Sequence, residues 1–317
     1  MRGKLTVQFV LLALAWGASF LFIKVGLEGL SPAQVVLGRL VTGAAALAVI
    51  AAVTRQPLPR EPVVWAHLTV VAVLLCVVPF LLFAWAEQHV DSGLASIYNA
   101  TTPLMTVLVA LVALPGERLT RAGLAGLVVG FAGVLVVLAP WRGAGGTVTA
   151  QAACLGATFC YGLAFVHLRR FVSPLGLPAV AVTTVQVGVG AALMLVAAPF
   201  VAVSPVHLSW PVVLSVTVLG VVGTGLAYVW NTNVVAGWGA TTASTVTYLT
   251  PVVGVVLGVV VLGEQVSWNE PVGAAVVLLG MALVRPRTAG REREPGGAGP
   301  GTGRRRIHDG AGSRVAD

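Results

Sequence analysis

The chain has 317 residues, 57% hydrophobic and 9% charged, with a formal net charge of +8 and a mean hydropathy of +0.94. A soluble domain carries about 25% charged residues, so no water-exposed fold could hide this apolar surplus, and lipid must solvate most of the chain. The basic excess forms no folded patch, since eight of the 19 Lys and Arg lie in the last 33 residues, and nucleic acid is set aside as a partner.

Crossing a hydrocarbon core takes about 20 apolar residues. In chain order the segments 5–24, 33–53, 63–86, 93–114, 122–139, 149–168, 178–200, 211–231, 240–262 and 268–284 meet that need. The expected fold class is therefore an all-α membrane protein with ten transmembrane helices. The first segment opens "MRGKLTVQFVLLALAW", whose basic start and Ala13-x-Ala15 triplet resemble a cleavable leader. Its apolar run continues to Ile23, which favours a retained helix, with Lys24 as an interfacial anchor.

The second segment carries Arg39 about seven residues from its start, hence about 10 Å deep. An arginine at a helix centre costs about 2.5–3.5 kcal/mol on insertion scales. Three outcomes are open: the guanidinium reaches back to the interface, pairs with Glu87 or Asp91, or faces a cavity and meets an anionic group.

The fourth and ninth segments share an unusual construction, "SIYNATTPLMTVLVALVALPGER" at 96–118 and "TVTYLTPVVGVVLGVVVLGEQ" at 245–265. A proline inside a helix removes a hydrogen bond and clashes with the preceding turn. In lipid the freed carbonyl needs another partner, so Pro103 and Pro251 are expected to break their helices beside a hydrated cavity and to act in gating. The nearby hydroxyls are candidate partners. Ser96, Asn99 and Thr102 share one helix face, and Thr241, Ser244 or Thr245, and Tyr248 repeat the pattern. These two polar stripes are candidate linings of a solute path. Gly254 and Gly258, and Gly123, Gly126, Gly130 and Gly133, sit at helical spacing and read as packing residues. Glu117 and Glu264 read as turn and helix-start residues.

Trp16, Tyr98, Tyr161, Tyr228, Trp230 and Tyr248 combine an apolar ring with a polar tip, and Trp16, Tyr161 and Tyr248, deeper in their segments, are the best candidates for a mixed apolar and hydrogen-bonding site. Every carboxylate falls at or near a segment boundary, so coupling through a central carboxylate is not expected. His67 and His167 lie near segment ends. Cys76, Cys154 and Cys160 fall in apolar runs without metal-ligand spacing and read as free buried thiols, so no metal or cofactor is expected.

Orientation follows from the positive-inside rule. With the N-terminus in the cytoplasm, 16 of the 19 Lys and Arg fall inside, leaving Lys24, Arg39 and Arg142 at or near the outer side. Both termini are therefore expected in the cytoplasm.

The halves correspond. "WGASF" at 16–20 matches "YGLAF" at 161–165, "TGAAAL" at 42–47 matches "VGAAL" at 189–193, and "FAW" at 83–85 matches "YVW" at 228–230. Pro103 aligns with Pro251, and "GLAGLVVGFAGVLVVL" at 123–138 with "NEPVGAAVVLLGMALV" at 269–284. Five spans per half is an odd number, so the second half enters from the opposite side, the inverted repeat of many secondary transporters. The expected units are residues 1–140, residues 141–284 and a disordered basic cytoplasmic tail, 285–317, able to attract anionic lipid.

The aromatic-Gly entry, the proline in the fourth helix of each unit and the Gly-Glu close resemble the EamA family of the drug/metabolite transporter superfamily, over about residues 5–284. Lys24 and Arg39, in "VLGRL", stand where that family often has basic residues, although Gln186 stands opposite Arg39 in the second half. The resemblance implies a ten-helix exporter of amino acids, metabolites or drugs in a prokaryotic inner membrane. The expected function is thus a secondary transporter of a small-molecule substrate by alternating access, with a nucleotide-sugar or lipid-linked solute carrier as the alternative. A scaffold and a membrane enzyme are weaker readings, since no nucleophile-base pair is present. A homodimer is left open.

Overall fold

The computed structural model describes residues 2–114, 120–139, 147–238 and 246–283. Glu117, Arg142, Thr241, Ser244, Thr245 and the tail 285–317 lie outside the described residues. Within the described residues the regular structure is helical, with no strand. The helices are α1 (Arg2–Gly26), α2 (Pro32–Val53), α3 (Pro62–Ala86), α4 (Ser92–Ala113), α5 (Arg121–Leu138), α6 (Thr147–His167), α7 (Ala179–Val201), α8 (Trp210–Trp238), α9 (Val246–Leu262) and α10 (Asn269–Leu283). Eight are long and apolar enough to cross a membrane, α6 with the turns that continue it to Leu175, while α9 and α10 are apolar but shorter.

Local sequence sets the helix starts. Ser31 accepts a bond from the Gln34 N–H, and the Gln34 side chain accepts one from the Ser31 N–H, a reciprocal cap completed by Pro32. Thr120 caps α5 through the Gly123 N–H at 3.0 Å. Each cap satisfies donors that lipid could not.

Packing couples the two halves. α1 lies against α8 and α9, and α6 against α3 and α4. α2 meets α7, α5 meets α10, and the α2–α8 contact is matched by α3–α7. These named contacts map onto one another when each helix is exchanged with the one five positions along. The aromatic-Gly entries explain two of these crossings. A Cβ at Gly17 would lie 2.5 Å from Val253 Cβ and 2.9 Å from the Thr250 carbonyl of α9. A Cβ at Gly162 would lie 2.9 Å from the Met105 carbonyl of α4. Each glycine thus lets its helix approach a proline-bearing helix at backbone distance.

The two prolines behave differently. α4 is interrupted: Ser92–Asn99 and Thr102–Ala113 are joined by a turn at Ala100 and Thr101, with Pro103 in the first turn of the second piece. Pro103 leaves the Asn99 carbonyl without its helical donor, and the Thr102 hydroxyl donates to that oxygen at 2.7 Å. At Pro251 the expected break is absent. The helix Val246–Leu262 runs through it, so the ring costs this helix a hydrogen bond without opening it.

The widened turns were not foreseen. α3 contains a π-helical turn at Val73–Val77 and α8 one at Val221–Leu226, each upstream of the aligned "FAW" and "YVW" triplets. Such bulges add a residue to one turn and shift the side chains that follow.

Candidate functional site

α2 and α8 come close where both carry glycine. A Cβ at Gly43 would lie 3.1 Å from the Gly220 carbonyl and 3.1 Å from Thr224 Cγ2. That approach sets Arg39 against the π-helical turn of α8. Arg39 Nε donates to Thr224 Oγ1 at 3.0 Å, and Thr224 Oγ1 donates in turn to the Leu219 carbonyl at 3.3 Å, a five-residue step that suits the wide turn. The guanidinium carbon lies 3.6 Å from the centre of the Phe80 ring of α3, a cation–π contact in a water-poor setting.

Arg39 is buried, so of its three expected outcomes the reach back to the interface is excluded. Tyr161, Tyr228, Cys76 and, most weakly, Glu87 lie within electrostatic range of the guanidinium. A buried cation is costly unless it is paired and hydrogen-bonded. Thr224 and Phe80 are neutral, so the charge has been brought to the junction of α2, α3 and α8 with its local partners uncharged.

Aromatic side chains surround this centre. Trp16 of α1 meets Tyr228 edge-on, with ring centroids 6.4 Å apart, and Phe83 lies between Phe20 and Tyr161 at 5.5 Å and 6.2 Å. Tyr161 packs against both large core clusters, one built on α3, α4 and α6 and the other on α2, α3 and α7. Trp16, Tyr161, Tyr228 and Tyr248 each retain partial exposure. A cation flanked by phenols and an indole can hold an anionic group while the rings cover an apolar body.

The remaining candidates are distributed otherwise. Tyr98 is 1% exposed and its hydroxyl donates to Gln151 at 2.7 Å, so here it joins α4 to α6. Asn99 and Thr102 are half-buried beside the break in α4, whereas Ser96 is fully buried and donates to the Gly93 carbonyl. Tyr248 packs against the same cluster as Tyr98. Thr245 lies outside the described residues.

Two boundary residues take roles that sequence reasoning missed. Lys24, expected as an interfacial anchor, donates to the Glu87 and Val90 carbonyls and so caps the end of α3. Glu264, expected to start its own helix, accepts the Ser92 N–H at 2.7 Å and the Gly93 N–H at 3.0 Å. It thus caps α4 from across the chain, where a carboxylate suits the positive end of the helix. Thr224 was also missed. Its signal in the sequence was the glycine-rich "GVVGTG" at 220–225, which permits close backbone approach but does not name a partner.

Comparison with known proteins adds to the geometry. Residues 4–139 and again 149–285 match the model of the EamA-like transporter family. A protein of Streptantibioticus cattleyicolor named a probable terminal-alkyne amino-acid exporter is 30% identical, over 92% of this chain and 97% of its own. The inner membrane transporter YedA of Escherichia coli strain K12, itself uncharacterized, is 26% identical over 86% of this chain and 88% of its own. A probable amino-acid metabolite efflux pump of Salmonella typhimurium is 25% identical over 86% and 92%. A crystal structure with 22% sequence identity superposes with a TM-score of 0.64, covering 89% of this chain and 97% of its own.

Proposed function

The chain belongs to the EamA-like transporter family and is a multi-pass inner-membrane transporter, and on that premise we propose that it exports small organic solutes carrying a carboxylate, of the amino-acid type. In this reading it crosses the membrane ten times as two inverted five-helix repeats, residues 1–140 and 141–284, with both termini in the cytoplasm. Alternating access moves the solute past Arg39.

The observation that carries the reading is Arg39, a buried cation with neutral partners among phenols. Thr224 holds it through Nε, which leaves the terminal nitrogens as the edge for a two-point contact with a carboxylate. Trp16, Tyr161 and Tyr228 would cover the solute's apolar body, and the partly exposed Asn99 and Thr102 would lie along its path. Relatives named for amino-acid export support the same solute class.

A matched solute series tests this in proteoliposomes. An amino acid should be transported at least about tenfold faster than its amide, whose lost charge removes more than about 1.4 kcal/mol of binding. Equal flux of acid, amide and amine would contradict the reading.

A further inference from the structure

Glu87 closes α3, one residue beyond Ala86, at the end of the bundle where α1, α3 and α4 meet. Its side chain is fully buried, and among the described residues neither carboxylate oxygen has a hydrogen-bond partner. The neighbouring polar groups are already engaged. From α1, Lys24 donates to backbone carbonyls. From the segment after α9, Glu264 is spent on the α4 N–H groups. From α2, Arg39 is held at Thr224. Asp91 lies one turn further along the chain, and the Cys154 thiol of α6 is within electrostatic range of Glu87.

An ionised carboxylate sealed away with no donor is strongly disfavoured, whereas the neutral acid is tolerated far better. We propose that Glu87 is a proton-binding site that gates this end of the transporter: closing the end takes up one proton at the Glu87 carboxylate, and opening it releases that proton. The proton comes from water at the same face and returns to it, so the site gates without carrying net charge across. Under the proposed orientation that face is the outer one. Identity of the solute does not enter.

Burial is the main cause holding the Glu87 carboxyl well above the usual carboxylate range. Lys24 and Arg39 oppose the shift, and Glu264 adds to it. Asp91 is raised as well, first by partial burial and then by Glu264. The sign follows from linkage. The closed state has the higher pKa and binds the proton more tightly, so acid favours closure. That advantage is lost as pH rises through the closed-state value.

The reporter is Ser92→Cys in a chain with Cys76, Cys154 and Cys160 replaced by alanine; Ser92 is fully buried and its hydroxyl has no hydrogen-bond partner among the described residues, so replacement loses no bond. Maleimide labelling of this thiol in membrane vesicles is normalised at each pH to the denatured chain, which removes the thiol's own titration. Between about pH 8 and about pH 6 labelling should fall, by up to about tenfold per unit for a single proton. Glu87→Gln, which mimics the neutral acid, should label slowly at every pH. Asp91→Asn and Glu264→Gln should keep the pH response. A pH-independent reporter in the chain with Glu87 intact overturns the proposal, whatever the variants do. So does a response that survives in Glu87→Gln or vanishes in Asp91→Asn. Failed transport of the carboxylate series with an intact labelling response would sink the solute assignment and leave this gate standing.

Discussion

Replacing Arg39 with methionine should lower transport of the carboxylate solute at least about thirtyfold, because losing one partner of a buried charged pair costs about 2–5 kcal/mol. Methionine has similar length and no charge to bury. It should therefore leave the melting temperature of the purified protein unchanged or raised, since apolar replacements of buried charges are often neutral or stabilising. Transport and stability thus move independently, which separates a binding role from a structural one. Arg39→Lys keeps the charge but loses the planar fork that Thr224 grips through Nε and that stacks over Phe80. It should recover part of the flux, with a weakened apparent affinity. If Arg39→Met transports at the native rate, the guanidinium does not meet the solute.

Leucine at Gly133 or Gly280 should unfold or misassemble the protein. These residues lie where α5 and α10 pack on each other, and the two helices touch the rest of the bundle far less. A Cβ at Gly133 would lie 2.6 Å from the Val277 backbone nitrogen and 2.9 Å from the Gly273 carbonyl, and one at Gly280 would run into the Gly130 backbone. Overpacking usually costs about 1–3 kcal/mol, and more where the obstacle is backbone that cannot rotate away. Without small residues the helices must separate, and in lipid no hydrophobic effect draws them back. Thermal unfolding in detergent should therefore shift down by many degrees for Gly133→Leu and Gly280→Leu. Val128→Leu, on the exposed face of α5, should behave as the unaltered chain.

Much of the fold was legible because lipid imposes length. Apolar runs located most of the helices to within a few residues. The break near Pro103 was legible too, down to a hydroxyl satisfying the freed carbonyl. Pro251 was not, because the same residue in a continuous helix costs one bond, and sequence alone does not say whether the helix yields. Arg39 stood out as a lone cation in an apolar run. Its partner Thr224 did not, since a threonine in a membrane helix usually bonds its own backbone, and the contact spans 185 residues. Glu87 was read as a boundary residue from its position in the chain. Its burial arises from α1, α4 and the Glu264 segment closing over it, which no local pattern encodes.

The central claim is that the junction around Arg39 opens to each face in turn. Cys76 reports on it without any change to the site, being free, buried and within electrostatic range of Arg39. In a chain with Cys154 and Cys160 replaced by alanine, an impermeant maleimide should reach Cys76 from either face, in right-side-out and inside-out vesicles alike. Saturating carboxylate solute should slow both reactions. A thiol that stays unmodified from one or both faces in vesicles that are transporting would contradict the account.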